Sequence, residues 1–176
     1  MQRKIVKAKL KNDDTVDVEY VEIIDDEGQQ DEVTKKCSAV AHPDLVAAFK
    51  DLDIHLATAC EQGEFTDYED NRDKLDIYTT TQISIGGEDE HEGVTITGQR
   101  RLAGNKVLNL NAPFIKLNPD HSDYRYAGSL DLAVQHLLNE VDQYLAGKVQ
   151  PTNQLGLFDQ LDEAIDAEES QEEEKP

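Results

Sequence analysis

Two stretches near the N-terminus, KIVKAKL at residues 4–10 and VDVEYVEII at residues 16–24, show the strand pattern most clearly. In both, apolar side chains alternate with charged ones, as Val16 and Val18 do with Asp17, and a period of two is typical of a half-buried strand. Residues 12–14 between them read Asn-Asp-Asp, which favours a turn because these residues tolerate left-handed backbone and hydrogen-bond their own main chain. The sequence therefore predicts an antiparallel hairpin.

Further strands and two helices are expected along the rest of the chain. The strands are predicted within residues 32–40, 75–85, 94–102 and 106–112, and the helices from apolar side chains at helical spacing. The first helix starts at Pro43 and presents Leu45, Phe49, Leu52 and Leu56 on one face; the second has Ser129 as N-cap, an apolar face from Leu130 to Tyr144, and Gly147 at its end. We predict an α+β fold, an antiparallel sheet of about six strands with two helices, whose βββα order suggests an internal duplication.

Length and charge divide the chain into a body and a tail. A chain of 176 residues suits one domain, expected at residues 1–148, and residues 149–176 are expected to be a linker followed by a disordered acidic tail. The chain has 38 acidic and 17 basic side chains, a net charge of −21. Nine Asp or Glu and one Lys leave the tail at −8, so the body is at −13. This charge disfavours direct nucleic-acid binding and binding to anionic membranes.

Little in the sequence indicates an enzyme, a cofactor or a metal site. Cys37 and Cys60 are far apart and outside any CxxC pair, so we expect two buried free thiols. His42 and His121 lie beside carboxylates, in segments typical of helix entries and turns. The acidic stretches 67–73 and 88–92 lack the glycine and final glutamate of a calcium loop. We predict a non-enzymatic protein without a cofactor or metal, and, since no signal peptide or membrane span is indicated, a cytoplasmic one.

The motif that points to a function follows the linker. Residues 154–158 read Gln-Leu-Gly-Leu-Phe. They resemble the pentapeptide with which bacterial polymerases, clamp-loader subunits and repair proteins bind the sliding clamp, commonly Gln-Leu-(Ser or Asp)-Leu-Phe. Four of the five positions agree, Gly156 being the departure. The resemblance implies that Leu157 and Phe158 enter an apolar pocket, that Leu155 packs beside them, and that Gln154 hydrogen-bonds a smaller subsite.

These observations predict an accessory or modulator protein of bacterial or phage DNA replication or repair, with the sliding clamp as partner. Other interpretations stay open. Leu157, Phe158, Leu161 and Ile165 are also spaced to form a third amphipathic helix packed on the body. The acidic body is compatible with a mimic of DNA that inhibits a nucleic-acid-binding protein. Finally, a phage-type single-strand DNA-binding protein with an acidic tail would use the basic group Arg100, Arg101 and Lys106 for phosphate contact.

Overall fold

The computed structural model describes residues 2–24, 28–67 and 69–151. It has the predicted α+β fold, in which helices pack on an antiparallel sheet. The strands are β1 Gln2–Leu10, β2 Val16–Ile23, β3 Gln30–Lys36, β4 Tyr78–Gly86, β5 Gly93–Arg101, β6 Val107–Asn111 and β7 Ile115–Lys116. The helices are α1 Pro43–Lys50, α2 Asp53–Ala59, α3 Arg72–Leu75 and α4 Ala127–Leu145.

The hairpin predicted from the alternating stretches is formed by β1 and β2. Leu10 pairs with Val16 at its closed end, and Lys11 N–H donates to the carbonyl of Thr15 at 2.9 Å. Asp14 has φ of 57°, and the carboxylate of Asp13 accepts from the Thr15 amide at 3.1 Å. The turn therefore contains both features predicted for it, a residue with left-handed backbone and a side chain that hydrogen-bonds the nearby main chain.

The sheet order places two three-stranded meanders edge to edge. The strands run β3-β2-β1-β4-β5-β6, all neighbours antiparallel, and β7 pairs with β5 beyond the end of β6. The first meander is β1 to β3, the second is β4 to β6, and they meet where β1 pairs with β4. That pairing is short, because only residues 7–9 of β1 are in register with residues 82–84 of β4.

The core lies between the sheet and helices α1, α2 and α4. All four apolar residues predicted on the first helical face, Leu45, Phe49, Leu52 and Leu56, are buried. They belong to one apolar cluster with strand and α4 side chains, including Val16, Val18, Ile83, Ile96, Leu130, Val134 and Leu137. Helical and strand periodicity thus identified the side chains that form this core.

Three predicted boundaries are wrong. The first helix is two helices, because Leu52 N–H donates to the Phe49 carbonyl in a tight turn, after which α2 begins at Asp53. α4 begins at Ala127 with Tyr126 as N-cap, so Ser129 lies inside its first turn. The third strand ends at Lys36, because the chain then crosses to the β1–β2 turn, where Ala41 N–H donates to the Asp14 carbonyl at 2.7 Å.

Candidate functional site

The face of the sheet turned away from the helices is a candidate binding surface, which we call the open face. Ala8, Ile83 and Ile96 lie side by side in register and are fully buried on the helix side. Successive side chains of a strand point to opposite faces, so the residues between them point away from the core. On four neighbouring strands the open face consists of Lys7 and Lys9 of β1, Gln82 and Ser84 of β4, Thr95, Thr97, Gln99 and Arg101 of β5, and Asn109 and Asn111 of β6. On the other side of β1 it continues to Asp17 and Glu19 of β2, which are in register with Lys9 and Lys7.

The strands that form the open face contain no acidic residue. β1, β4, β5 and β6 carry neither Asp nor Glu over their full lengths, although 38 of the 176 residues in the chain are acidic. Their neighbours β2 and β3 carry Asp17, Glu19, Glu22, Asp31 and Glu32. The strongly negative body therefore has four neighbouring strands whose lysine, amide and hydroxyl groups have no carboxylate among them, while the carboxylates of Asp13, Asp17 and Glu19 border them on the β2 side.

Three lysines alternate along the β1 side of this surface. Lys7 Nζ lies 3.1 Å from Glu19 Oε1, and Lys11 Nζ lies 3.1 Å from Asp17 Oδ1, so both are held by carboxylates of β2. Lys9 between them is exposed and has no ion pair within 4 Å to another described residue. Its ammonium group is an unpaired positive charge that the open face presents beside β2, and the exposed Arg101 of β5 is another.

The neutral side chains of the open face are unused hydrogen-bonding groups. In the cross-strand row Lys9, Gln82, Thr97 and Asn111, each residue is in register with the next. The side-chain amides of Gln82, Gln99 and Asn109 make no hydrogen bond to any other described residue. Each amide offers two N–H donors and a carbonyl acceptor. The surface can therefore bind a polar or anionic chain without first breaking internal bonds.

A hollow of about 640 Å³ opens in this face where β1 leaves β4. Beyond Lys9 the two strands are no longer paired, and the gap is bordered by the β1–β2 turn on one side and by β4, β5 and β6 on the other. Its polar lining is Lys9, Lys11, Asn12, Asp13, Thr81, Gln82, Thr97, Gln99 and Asn109. The short β1–β4 pairing is thus the structural cause of the hollow.

The C-terminal end of the described chain is fixed beside the same turn. Val149 forms a β-bridge with Ala41, and Gln150 N–H donates to the Val40 carbonyl at 2.9 Å. Ala41 in turn donates to Asp14 of the β1–β2 turn. Lys148 Nζ lies 2.8 Å from both Asp44 and Glu140, which holds the preceding turn. The chain therefore leaves the body at the end of the sheet where residues 11–13 border the hollow.

The residues predicted from the sequence as a binding site are placed as follows. Gln154, Leu155, Leu157 and Phe158 lie outside the described residues. Arg100 and Arg101 point to opposite faces of β5: the Arg100 guanidinium donates to Gln62 Oε1 at 2.9 Å and lies over the Tyr78 ring, whereas Arg101 is exposed. Lys106 is exposed beyond the turn between β5 and β6. The sheet therefore lies between the side chains of Arg100 and Arg101.

The histidines beside carboxylates occupy local structure, as predicted. His42 is the N-cap of α1, and its Nδ1 accepts from the amide of Asp44 at 3.2 Å. His121 ends a short 3₁₀ turn, with Nε2 3.4 Å from Glu90 Oε2. In the acidic stretch after α2, the carboxylate of Asp67 accepts from the amide of Glu69 at 2.8 Å. Among residues 2–24, 28–67 and 69–151, no group of three or more His, Cys, Asp or Glu side chains is placed to hold a metal ion.

Cys37 and Cys60 are free thiols, as predicted, but each is half-buried and not fully buried. Partial burial raises the pKa of the Cys60 thiol. This shift favours the protonated thiol at neutral pH, which is the less nucleophilic form.

Two buried ionisable residues of α2 were missed by the sequence reasoning. Asp53 and His55 are each 4% exposed. Asp53 Oδ1 accepts from the Thr80 amide at 2.7 Å, next to a bulge in β4, and His55 Nδ1 lies 3.0 Å from the Tyr124 hydroxyl. Burial raises the pKa of Asp53 to about 7 and lowers the pKa of His55 to about 4, so both favour the neutral form. Asp53 therefore connects α2 to β4, and His55 connects α2 to the segment before α4.

Comparisons with family models, curated proteins and solved structures found no match to this chain. Within the described part, no helix is long and apolar enough to span a bilayer.

Proposed function

We propose that this protein is a non-enzymatic accessory or modulator protein of bacterial or phage DNA replication or repair, which docks on the sliding clamp through residues 154–158. The observation that carries the proposal is the sequence Gln-Leu-Gly-Leu-Phe at those positions. It combines two adjacent large apolar anchors, a third apolar residue and an amide, which is the composition that a short peptide needs to fill an apolar pocket in one orientation.

The expected strength of docking follows from three side chains. Burying Leu155, Leu157 and Phe158 contributes roughly 4 to 9 kcal/mol before costs. Ordering the segment, including Gly156 with its large backbone freedom, offsets part of this. A dissociation constant on the order of micromolar requires about 8 kcal/mol, so the hydrogen bonds of Gln154 must supply part of the docking free energy that we expect.

The position of the motif relative to the body supports the proposal. The last backbone hydrogen bond of the described chain is made by Gln150, and only three residues separate Pro151 from Leu155. The exit point is exposed, since Val40 and Gln150 are both exposed there. A partner that binds residues 154–158 therefore approaches the body beside the β1–β2 turn.

Binding of a purified bacterial sliding clamp by the full chain tests the proposal. Isothermal titration should show binding near micromolar for the wild type, and at least a tenfold loss for the double variant Leu157→Ala/Phe158→Ala, since each truncated anchor gives up about 1.5 to 3 kcal/mol of burial. Unchanged binding by that variant would exclude the motif.

Leu161→Ala/Ile165→Ala is the matched control, because it also truncates two large apolar side chains of the alternative amphipathic helix and leaves residues 154–158 intact. It should bind the clamp like the wild type. The DNA-mimic alternative makes a different prediction, namely no clamp binding and steeply salt-dependent binding to a basic protein.

A further inference from the structure

We propose that the acidic segment at residues 159–174 docks on the open face of its own chain. This contact is intramolecular and does not require the clamp. Three observations carry it: the chemistry of the face, the charge of the segment and the place where the chain leaves the body.

The segment and the face are complementary in charge and in hydrogen bonding. Nine of the sixteen residues at 159–174 are Asp or Glu, and none is basic. Carboxylates only accept hydrogen bonds, whereas the open face supplies the Lys9 ammonium and the donor groups of Gln82, Gln99 and Asn109. Elsewhere the body is dominated by its own carboxylates, which repel the segment. The strands β1, β4, β5 and β6 add no carboxylate to this repulsion, and their acidic neighbours Asp17 and Glu19 are in register with lysines of β1.

The chain leaves the body close enough for the segment to reach the face. Val149 is bridged to Ala41, which bonds to the β1–β2 turn, and residues 11–13 of that turn border the hollow. The seven residues 152–158 span up to about 25 Å when extended. The four strands of the face are about 14 Å across, from three spacings of about 4.8 Å. A short tether of this kind gives an effective concentration on the order of millimolar, which compensates for weak contacts.

Docking has a consequence for the motif, and this consequence rests on the proposed function. Residues 154–158 lie between Gln150, which is anchored to the body, and the docked segment. Both ends of the motif are then restrained, and a clamp must displace residues 159–174 before residues 154–158 can enter its pocket. The open face therefore lowers the affinity of the intact chain for the clamp.

Zero-length carbodiimide cross-linking of the full chain tests the docking without any clamp. The reagent joins a lysine amine to a carboxylate in contact with it. We expect monomeric cross-links between Lys7, Lys9 or Lys11 and carboxylates of residues 159–174, identified by mass spectrometry. Their yield should fall several-fold at high salt, and likewise when Glu168, Glu169, Glu172, Glu173 and Glu174 are changed together to Gln.

Lys9→Glu should abolish most of these cross-links, including those of its neighbours, because it reverses the unpaired charge that lies between Lys7 and Lys11. Lys74→Glu is the matched control: it makes the same charge change on an exposed residue of α3, and should leave the yield unchanged. Equal yields in the two variants overturn the proposal, as do cross-links that form only between two copies of the chain. Binding of poly(dT) by the full chain that is lost in Lys9→Glu, without tail cross-links, would assign the face to a phosphate backbone instead.

Clamp titration separates this proposal from the preceding one. If both hold, Lys9→Glu binds the clamp several-fold more tightly than the wild type, and Lys74→Glu does not. Tail cross-links without clamp binding overturn the proposed function and leave the docking intact. Clamp binding without tail cross-links overturns the docking and leaves the proposed function intact.

Discussion

Gly98 in β5 lies where a side chain has no room. A Cβ at this position would collide with the carbonyl oxygen of Thr79 in β4 and lie 2.5 Å from Cδ2 of Leu56 in α2. Both neighbours are fixed, since Leu56 is fully buried and Thr79 belongs to the bulged part of β4. The residue is therefore required by close packing between the sheet and α2.

Gly98→Ala should lower the free energy of unfolding by about 1 to 3 kcal/mol, the usual cost of overpacking a core. Gly128→Ala is the control, because the nearest atom to its Cβ would be Pro119 Cγ at an ordinary 3.6 Å, and because alanine favours the helix. It should be neutral or slightly stabilising. Urea denaturation measures both, and equal stability of the two variants would contradict the packing argument.

Asp53 and His55 make opposite contributions to the pH dependence of stability. The raised pKa of Asp53 means that its contribution is fully present below its unfolded pKa of 3.8 and is lost as pH rises through about 7. The lowered pKa of His55 means that its contribution is present above its unfolded pKa of 6.5 and is lost as pH falls through about 4. Between pH 4 and 6.5 the stability contributed by Asp53 falls as pH rises, whereas the stability contributed by His55 rises.

Asp53→Asn should remove the pH dependence that comes from Asp53 and leave the pH dependence that comes from His55. The free energy of unfolding should then rise with pH between 4 and 6.5 more steeply than in the wild type, by up to about 1.4 kcal/mol per pH unit. Asp73→Asn, which changes an exposed carboxyl in α3, should keep the wild-type profile. Denaturant unfolding at several pH values in this range measures the effect. Parallel pH profiles of the free energy of unfolding for wild type and Asp53→Asn would contradict the role given to Asp53.

At the scale of elements, α4 is tied to the segment that connects β3 with α1. The Tyr144 hydroxyl donates to the Ala39 carbonyl, and the Tyr144 ring is buried. This contact joins the C-terminal end of α4 to the loop that also receives Val149 and Gln150. It therefore stabilises the place where the chain leaves the body.

Tyr144→Phe should destabilise the protein by about 1 kcal/mol, the typical net contribution of one hydrogen bond, with a further cost if the Ala39 carbonyl is left unsatisfied. Tyr20→Phe is the matched control, because the Tyr20 hydroxyl has no hydrogen bond to another described residue while its ring packs beside Arg3. It should change stability by much less. Thermal unfolding compares them, and equal losses would argue that the ring, and not the hydroxyl, is responsible.

For the whole molecule, the described residues form one apolar core. The apolar cluster is formed by strands and by α1, α2 and α4, and the last residue packed against it is Val149. Removing residues 152–176 takes away a net charge of −8 and changes the total from −21 to −13, which reduces self-repulsion.

Truncation after Pro151 should therefore change the free energy of unfolding by less than about 1 kcal/mol at moderate salt. The alternative third helix, with Leu157, Phe158, Leu161 and Ile165 packed on the body, predicts a loss of several kcal/mol instead. Truncation after Leu145 is the informative comparison, because it also removes the ion pairs of Lys148 and the bridge of Val149. It should be clearly less stable than the chain that ends at Pro151.

Local patterns predicted most of the elements but not their assembly. The alternation at residues 16–23 and the spacing of Leu45, Phe49 and Leu52 are set by the strand and helix periods, so they can be read from neighbouring residues. The start of α4 was misplaced because Ser129 is a good N-cap in isolation, whereas burial of Ala127 favours an earlier start. Arg100 and Arg101 were grouped because they are adjacent, although adjacent strand residues face opposite sides.

The sequence by itself determined the hairpins, the apolar faces, the acidic charge and the pentapeptide at residues 154–158, because each depends on residues close together in the chain. Asp and Glu are also absent from the segments that form β1, β4, β5 and β6. This absence indicates a shared surface only because the tertiary structure makes these strands neighbours. Only the tertiary structure decided that β1 pairs with β4, that their pairing is short, and that the chain leaves the body beside the resulting hollow. These are contacts between residues more than 70 positions apart, selected by the packing of the whole core and not by local preference.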